Sequence, residues 1–234
     1  MSATSLLAPL LRPATALPDA AGKRQYWEPL LIATAAALLF AIVAVPRLDF
    51  DRAAAEALDR AEGSAQVSPH EREEKIATVR RVGTLATYAG AAFGPAMVAL
   101  AGALGLWLAF RVVGGRSPFA GTFTVMAWGL VPGAAESLLT IPALLTRSTV
   151  DPEAVPRLLP ASLAVVLPAG ATGPLASLLG AVDLFSLWSV VVVAAGMAGV
   201  AGVSRRRSLV TVIVLWLSYV AVFKVALPVL GGAR

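Results

Sequence analysis

Long apolar runs separated by short polar segments dominate the chain, and its last quarter holds two of them. Residues 184–203 carry no charge, and residues 209–230 carry only Lys224. At about 1.5 Å of rise per residue, each run is long enough to cross a hydrocarbon core of about 30 Å as a helix. Backbone groups in lipid need internal hydrogen bonds, so runs of this length are helices. Together they predict a transmembrane helical hairpin.

The five residues 204–208 join these two runs and contain Arg205, Arg206 and Arg207. A turn this short makes the helices antiparallel. Short loops rich in arginine stay on the cytoplasmic side of bacterial membranes. The pattern therefore predicts that the C-terminus lies outside the cytosol and that the N-terminal segment, 1–27, lies in the cytosol.

Three earlier apolar runs complete a prediction of five transmembrane helices within one membrane domain, 28–234. The predicted spans are about 29–45, 85–110, 121–145, 184–203 and 209–230. Pro132 interrupts the third span and predicts a kink there. Between spans three and four, repeated prolines keep every run below spanning length. The part at 158–182 is expected to be interfacial or re-entrant.

The segment between spans one and two is polar, with seven basic and eight acidic residues over 46–84. Asp49 is placed to cap one helix, which Gly63 ends. Ser68 and Glu71 have the spacing of a capping box, with Pro69 at the first helical position. We therefore expect a helical hairpin outside the membrane. A solvated surface is its simplest role, and a docking surface is the alternative.

Small residues recur in spans two and four. They are Gly90, Gly94, Gly102 and Gly105 in span two, and Gly196, Gly199 and Gly202 in span four. Glycine lets neighbouring helices approach closely in a membrane, although it is also generally frequent there. We expect these faces to pack within the bundle or against a partner.

Composition narrows the functional classes. The chain of 234 residues is 58% hydrophobic and only 14% charged, which is typical of a polytopic membrane protein and leaves no room for a catalytic domain. Zero cysteines exclude disulfides, iron–sulfur clusters and thiolate zinc sites, and a single histidine, His70, excludes a multi-histidine metal site. The net charge of +5 comes without a basic groove lined by aromatic residues, so a nucleic-acid partner is not expected. No cofactor or soluble small-molecule substrate is indicated.

Two ionisable residues, Glu136 and Lys224, lie well inside predicted spans. A lone charge there costs at least about 2.5 kcal/mol, so each side chain should find a partner. Each follows the predicted cytoplasmic entry of its span by about 15 residues, or roughly 22 Å. We therefore hypothesise an ion pair between Glu136 and Lys224, with Asp183 as the alternative partner of the lysine. In the opposing interpretation, the lysine snorkels and Glu136 is protonated or faces a small water pocket.

No set of residues in the sequence fits the roles that catalysis needs. Ser68 and Glu71 beside His70 are better explained as a helix cap, and no nucleophile elbow is present. The chain is therefore not predicted to be an enzyme. A transporter is more consistent with the pattern, because an intramembrane acid such as Glu136 can relay protons.

Several loop and span positions together resemble the bacterial members of the Yip family, the Ypt/Rab-interacting-protein membrane domain. They are Arg111-Val-Val-Gly-Gly-Arg116-Ser-Pro-Phe119, Pro132, Asp183-Leu-Phe-Ser-Leu-Trp188, Gly196, Ser204 with its three arginines, and Trp216. The resemblance implies a five-helix membrane domain with a cytosolic N-terminus and no catalytic residues. Eukaryotic relatives bind Rab-type GTPases and one another, and some bacterial relatives accompany macrolide-type ABC exporters.

The expected protein is thus an all-α, five-span protein of the bacterial inner membrane. Its expected role is that of a non-enzymatic accessory or scaffold subunit of a larger assembly, such as an ABC exporter or a membrane-trafficking-like complex. The expected partners are the lipid bilayer, other membrane proteins or a second copy of itself. The alternative function is a small transporter or channel that uses Glu136 as an intramembrane relay. A water-accessible cavity at Glu136 would favour the transporter, and a closed, well-packed bundle would favour the scaffold.

Overall fold

A computed structural model describes residues 3–60, 68–167 and 174–226 of the chain. Ten α-helices are found in these ranges. They are α1 (Ala3–Leu11), α2 (Pro13–Gly22), α3 (Trp27–Ala44), α4 (Phe50–Arg60), α5 (Pro69–Val112), α6 (Phe119–Gly129), α7 (Val131–Leu145), α8 (Pro174–Ala181), α9 (Leu184–Ala201) and α10 (Arg205–Tyr219). Short 3-10 turns occupy Val45–Arg47, Pro152–Arg157 and Leu163–Val166, and a π-helical turn, Val220–Ala226, continues α10.

Within the described residues, five helical segments are long and apolar enough to span a membrane, which confirms the predicted fold class. They are Trp27–Arg47, Pro69–Val112, Phe119–Leu145, Leu184–Ala201 and Arg205–Phe223. The helical boundaries differ most in span two, where one 44-residue helix replaces the predicted span and the polar helix before it. Residues 227–230, the predicted end of span five, lie outside the described residues.

Span three is broken where the sequence predicted an interruption. The break lies at Leu130, between α6 and α7, and Pro132 is the second residue of α7. Proline has no backbone N–H, so it cannot donate a hydrogen bond to the preceding turn. The Leu130 N–H instead reaches the Ala127 carbonyl at 3.2 Å, and the helix restarts beyond it.

The last two spans form the predicted antiparallel hairpin, with a shorter turn than expected. Gly202 ends α9 in the left-handed conformation at φ 67°, and Ser204 caps α10 by accepting a hydrogen bond from the Arg207 N–H. The three arginines therefore lie in the first turn of α10, whereas the prediction placed them in the connecting loop. The buried Ser208 hydroxyl donates across the pair to the Ala194 carbonyl at 2.6 Å.

Outside the predicted membrane region, α4 packs on the first turns of α5, and this confirms the helical hairpin. Both predicted caps are present: Asp49 accepts from the Arg52 N–H, and Ser68 forms a full capping box with Glu71. Ion pairs tie the two helices together. They join Arg72 to Asp59 at 2.7 Å and Arg80 to Asp51 at 2.8 Å. We call the unit formed by α4 and residues 69–84 of α5 the arm.

The N-terminal segment contributes helices that the sequence did not predict. Helix α2 packs on α9 and α6, and α1 packs on α2. Leu17 of α2 is fully buried, and Leu10 of α1 is nearly so. Both belong to the main core together with residues of α5, α6 and α9, including Phe110, Trp128 and Met197. The helices of this segment are therefore part of the bundle's packing.

The segment between α7 and α9 runs over the end of the bundle near the arm, as short turns and α8. Val150 exchanges backbone hydrogen bonds with the end of span one, donating to Arg47 O at 2.7 Å and accepting from Asp49 N at 3.0 Å. Ser162 forms an isolated bridge with Asp183. Residues 168–173 lie outside the described residues. The interfacial or re-entrant character of 158–182 stays a prediction.

Candidate functional site

Three chain segments meet at the end of the bundle opposite the arm, which we call the basic end. The Arg116 N–H donates to the Ala201 carbonyl at 3.1 Å, and an Arg207 guanidinium nitrogen lies 3.4 Å from the Val113 carbonyl. The exposed basic residues of this end are Lys23, Arg24, Arg111, Arg116, Arg205, Arg206 and Arg207. The structure thus brings the 111–119 motif and the three arginines of α10 together.

An aromatic row runs around the basic end from α3 across α6 to α5. Consecutive ring centroids are 5.4 Å apart for Trp27 and Tyr26, 5.4 Å for Tyr26 and Phe123, 6.4 Å for Phe123 and Phe119, and 6.2 Å for Phe119 and Trp107. The Arg111 guanidinium stacks 4.2 Å from the centroid of the Trp107 ring. Aromatic rings beside exposed basic groups are the arrangement that membrane proteins present to lipid headgroups. This end is therefore suited to the membrane–water interface.

The carboxylate of Asp183 is used to begin span four. It accepts hydrogen bonds of 2.8 Å from the backbone N–H groups of Phe185 and Ser186, and the residue is buried. Ser186 also donates its hydroxyl to the same carboxylate. Because both oxygens serve the helix N-terminus, the local geometry gives Asp183 the role of a cap.

Glu136 is half-buried in α7, a helix that packs on α3 and α9. The proposed partner, Lys224, lies in the turn Val220–Ala226, which packs on α8 and α10. The lysine side chain lies outside what the structure describes. The ion pair between Glu136 and Lys224 therefore stays a prediction.

The electrostatics of the arm depend on its ion pairs. Arg72 lowers the pKa of Asp59 below its usual value, chiefly through the hydrogen bond between their side chains. The Arg80 and Asp51 side chains are about half exposed. Charged pairs with this exposure are stable in water and costly in hydrocarbon. The arm is therefore suited to water and not to the hydrocarbon core.

Gly196 and Gly199 of span four lie against the N-terminal helices, whereas Gly202 ends α9 and an added methyl group there would meet nothing within 4 Å. A methyl group added at Gly196 would lie 2.6 Å from Leu17 Cδ1, and one at Gly199 would lie 2.5 Å from Pro18 Cγ. The close packing that was expected at these glycines is present. The helix that packs against them is α2, which the sequence did not predict. The one available signal was the weakly charged stretch 5–22, rich in alanine and leucine but interrupted by prolines.

The glycines of span two divide into two groups. Gly102 packs against the Met126 side chain, with an added methyl group 2.8 Å from Met126 Cε. At Gly90, Gly94 and Gly105, an added methyl group would meet nothing within 4 Å. These three positions therefore do not pack within the described bundle, and packing against a partner stays a prediction there.

Within residues 3–60, 68–167 and 174–226, no group of three or more metal-ligating side chains comes together. Three structural features of the described residues are notable. They are the solvated arm, the packed helical core, and the basic end with its aromatic row.

The chain is similar to one curated membrane protein and to one family model. The Bacillus subtilis (strain 168) protein described as "Membrane protein YknW" is 27% identical over 190 residues, covering 81% of this chain and 75% of the relative. No solved structure matches the chain. The family model for the Yip1 domain matches residues 7–226, which includes the N-terminal helices, the arm and all five spans. The chain therefore belongs to the Yip1 domain family.

Proposed function

We propose that this membrane protein is a non-enzymatic accessory or scaffold subunit of a larger membrane complex, with an ABC exporter as the complex to test first. The observation that carries the proposal is the arm. Its two helices are joined by the Arg72–Asp59 and Arg80–Asp51 pairs and by Gly83, which packs on the Phe50 ring. A preorganised surface binds a partner at a lower entropic cost than a flexible loop.

The packing of the spans supports the same role. Trp128, Val125 and Met197 are almost entirely buried where α6 meets α9, and Leu17 of α2 fills the space beside them. Interiors packed in this way leave little room for a continuous path across the membrane. A closed bundle is what the scaffold interpretation requires.

The alternative function is a small transporter or channel, and one observation favours it. Span three is discontinuous at Leu130, six residues before the half-buried Glu136. Broken helices near an intramembrane acid frame binding sites in several transporter folds. In this alternative, Glu136 would be an essential relay residue.

The proposed setting is a bacterial inner membrane, with the basic end in the cytosol and the arm outside. Seven exposed basic residues at one end of the described bundle support this orientation. The arm opposes this orientation with seven basic residues over 46–84, and the proposal gives more weight to Arg205, Arg206 and Arg207, which are consecutive and directly adjoin two spans.

The test is affinity purification from the native membrane with mass spectrometry of the co-purifying proteins. Three forms are compared: the unchanged chain, Arg81→Glu on the exposed face of the arm, and Glu136→Gln. A scaffold predicts stoichiometric partner subunits with the unchanged chain and with Glu136→Gln, and reduced recovery with Arg81→Glu. Recovery of the chain without partner subunits, together with a loss of solute flux in Glu136→Gln vesicles, would establish the transporter instead.

A further inference from the structure

The positive charge of the chain is concentrated at the basic end. Among the described residues, the seven basic residues of this end are accompanied by only two acidic ones, Asp19 in α2 and Glu28 in α3. The chain as a whole has a net charge of +5, so the basic end accounts for the entire excess of positive charge. In the rest of the sequence, basic and acidic residues are equal in number.

The basic residues of the two ends also differ in how they are neutralised. In the arm, Arg72 and Arg80 pair with carboxylates of α4 at 2.7 and 2.8 Å. At the basic end, none of the seven residues forms an ion pair with a carboxylate of the described chain. Gathered charges of one sign attract counter-ions from outside the molecule. The basic end is therefore suited to an anionic partner, whereas the arm is neutralised internally.

Two of these arginine side chains are held in place beside the loop that joins α5 to α6. The Arg111 guanidinium lies 4.2 Å from the centroid of the Trp107 ring. An Arg207 guanidinium nitrogen donates to the Val113 carbonyl at 3.4 Å, which brings α10 to the end of α5. A guanidinium has five N–H donors, so both side chains keep donors for a further acceptor. Their planar groups match the oxygens of a phosphate.

Exposed apolar side chains lie directly beside these arginines. Val112, next to Arg111, is 88% exposed, and Leu209, which follows Arg207 in α10, is 41% exposed. Trp27, at the far end of the aromatic row, is 65% exposed. A soluble anion would use only the basic groups of this surface. A phospholipid supplies a phosphate and acyl chains together, and in a membrane it always lies beside the spans. The surface therefore fits a phospholipid.

We propose that the basic end is a binding site selective for anionic phospholipids. Arg111 and Arg207 donate to the phosphate of the headgroup, and the aromatic row contacts the start of the acyl chains. Basic surfaces between transmembrane helices bind anionic headgroups in this way. The site needs no partner protein, so it does not depend on the proposed accessory role.

Membrane orientation alone does not require this geometry. Lysine and arginine both hold a loop on the cytoplasmic side, because only their charge matters for orientation. Stacking on Trp107 and paired N–H donors for a phosphate are properties of arginine. Replacing Arg111 and Arg207 by lysine therefore keeps the charge and removes the geometry of the site.

The selectivity is measured on the purified full chain in neutral detergent by native mass spectrometry. Phosphatidylglycerol, which is anionic, and phosphatidylcholine, which has no net charge, are added with identical acyl chains. We expect the anionic lipid to bind on the order of ten-fold more tightly or better. Equal affinity for the two lipids would overturn the proposal without any variant.

A pair of double variants locates the site. Arg111→Gln with Arg207→Gln should weaken phosphatidylglycerol binding on the order of 30-fold and leave phosphatidylcholine binding unchanged. Arg81→Gln with Arg147→Gln is the matched control, because it removes the same charge from exposed positions away from the basic end. Its effect should stay below about two-fold. An equal loss in both double variants would show that binding follows net charge, and would overturn the site.

Two further measurements separate the site from simpler explanations. Arg111→Lys with Arg207→Lys should weaken phosphatidylglycerol binding by about three-fold or more. Unchanged binding would reduce the site to diffuse charge and refute the proposed geometry. Glycerol phosphate, which is the soluble part of the headgroup, should bind far more weakly than the whole lipid. Equal affinity would assign the surface to a soluble phosphate compound and refute the lipid as its ligand.

Discussion

The contact between Leu17 and Gly196 allows a quantitative test of the N-terminal packing. Leu17 is fully buried, and its Cδ1 lies where a methyl group at Gly196 would approach to 2.6 Å. Leu17→Ala removes buried apolar atoms and leaves a cavity, at an expected cost of about 2–5 kcal/mol. Gly196→Ala overpacks the same space against Leu17 and against Val125 Cγ1, 2.9 Å away, at an expected cost of about 1–3 kcal/mol.

The double variant is the informative measurement. With Leu17 shortened, the methyl group at position 196 no longer meets Leu17 Cδ1, and its close contacts are Val125 Cγ1 at 2.9 Å and the remaining Cβ of residue 17 at 3.2 Å. The combined loss should therefore fall short of the sum by about 1–2 kcal/mol, as is typical for residues in direct contact. Gly133→Ala is the matched control, because an added methyl group there meets nothing within 4 Å. Its effect on stability should be small and additive with Leu17→Ala.

The free energy of unfolding can be followed by tryptophan fluorescence in mixed micelles, since the chain has five tryptophans. Hydrogen exchange of residues 13–22 shows whether α2 opens locally before the bundle unfolds. Additivity of Leu17→Ala and Gly196→Ala within about 0.5 kcal/mol would refute the packing of α2 on α9.

Three further predictions concern polar contacts. Ser208→Ala should lower the free energy of unfolding by about 0.6–1.7 kcal/mol, because the Ser208 hydroxyl donates a hydrogen bond from α10 to α9. Ser218→Ala is the control and should change this free energy less, because the Ser218 hydroxyl donates within its own helix. Asp59 has a lowered pKa in the folded protein, so its contribution to arm stability is present above about pH 4 and is lost as the pH falls through the lowered pKa. The hydrogen exchange of α4 should therefore become faster at that pH relative to a reference peptide. Unchanged exchange would contradict this prediction. If Glu136→Gln and Lys224→Met each destabilise the detergent-solubilised protein, the double variant should be no worse than either alone, and additive losses would exclude the ion pair.

Much of the fold could be predicted from local pattern, because a bilayer imposes simple rules on sequence. Apolar runs of spanning length, the caps at Asp49 and Ser68, and the interruption beside Pro132 each depend on neighbouring residues alone. The antiparallel last hairpin follows in the same way from the short polar break between two apolar runs. None of these features requires knowledge of what packs against what.

The candidate site was less predictable, because glycine spacing indicates that a helix face is suited to close packing and not which element occupies it. The faces at Gly196 and Gly90 look alike in sequence, yet the first holds Leu17 of α2 and the second is open. Asp183 is another case. Its position near the end of a span made it a candidate ion-pair partner, and its contacts made it a helix cap.

The sequence by itself determined the membrane class, the five spans and the helical character of the arm, since hydrophobic length and capping are local properties. Only the tertiary structure decided that α1 and α2 enter the core and that α5 continues from the arm into span two. These depend on which surfaces meet in space. The free energy of burying Leu17 comes from side chains far away in the chain, which no local window of residues contains.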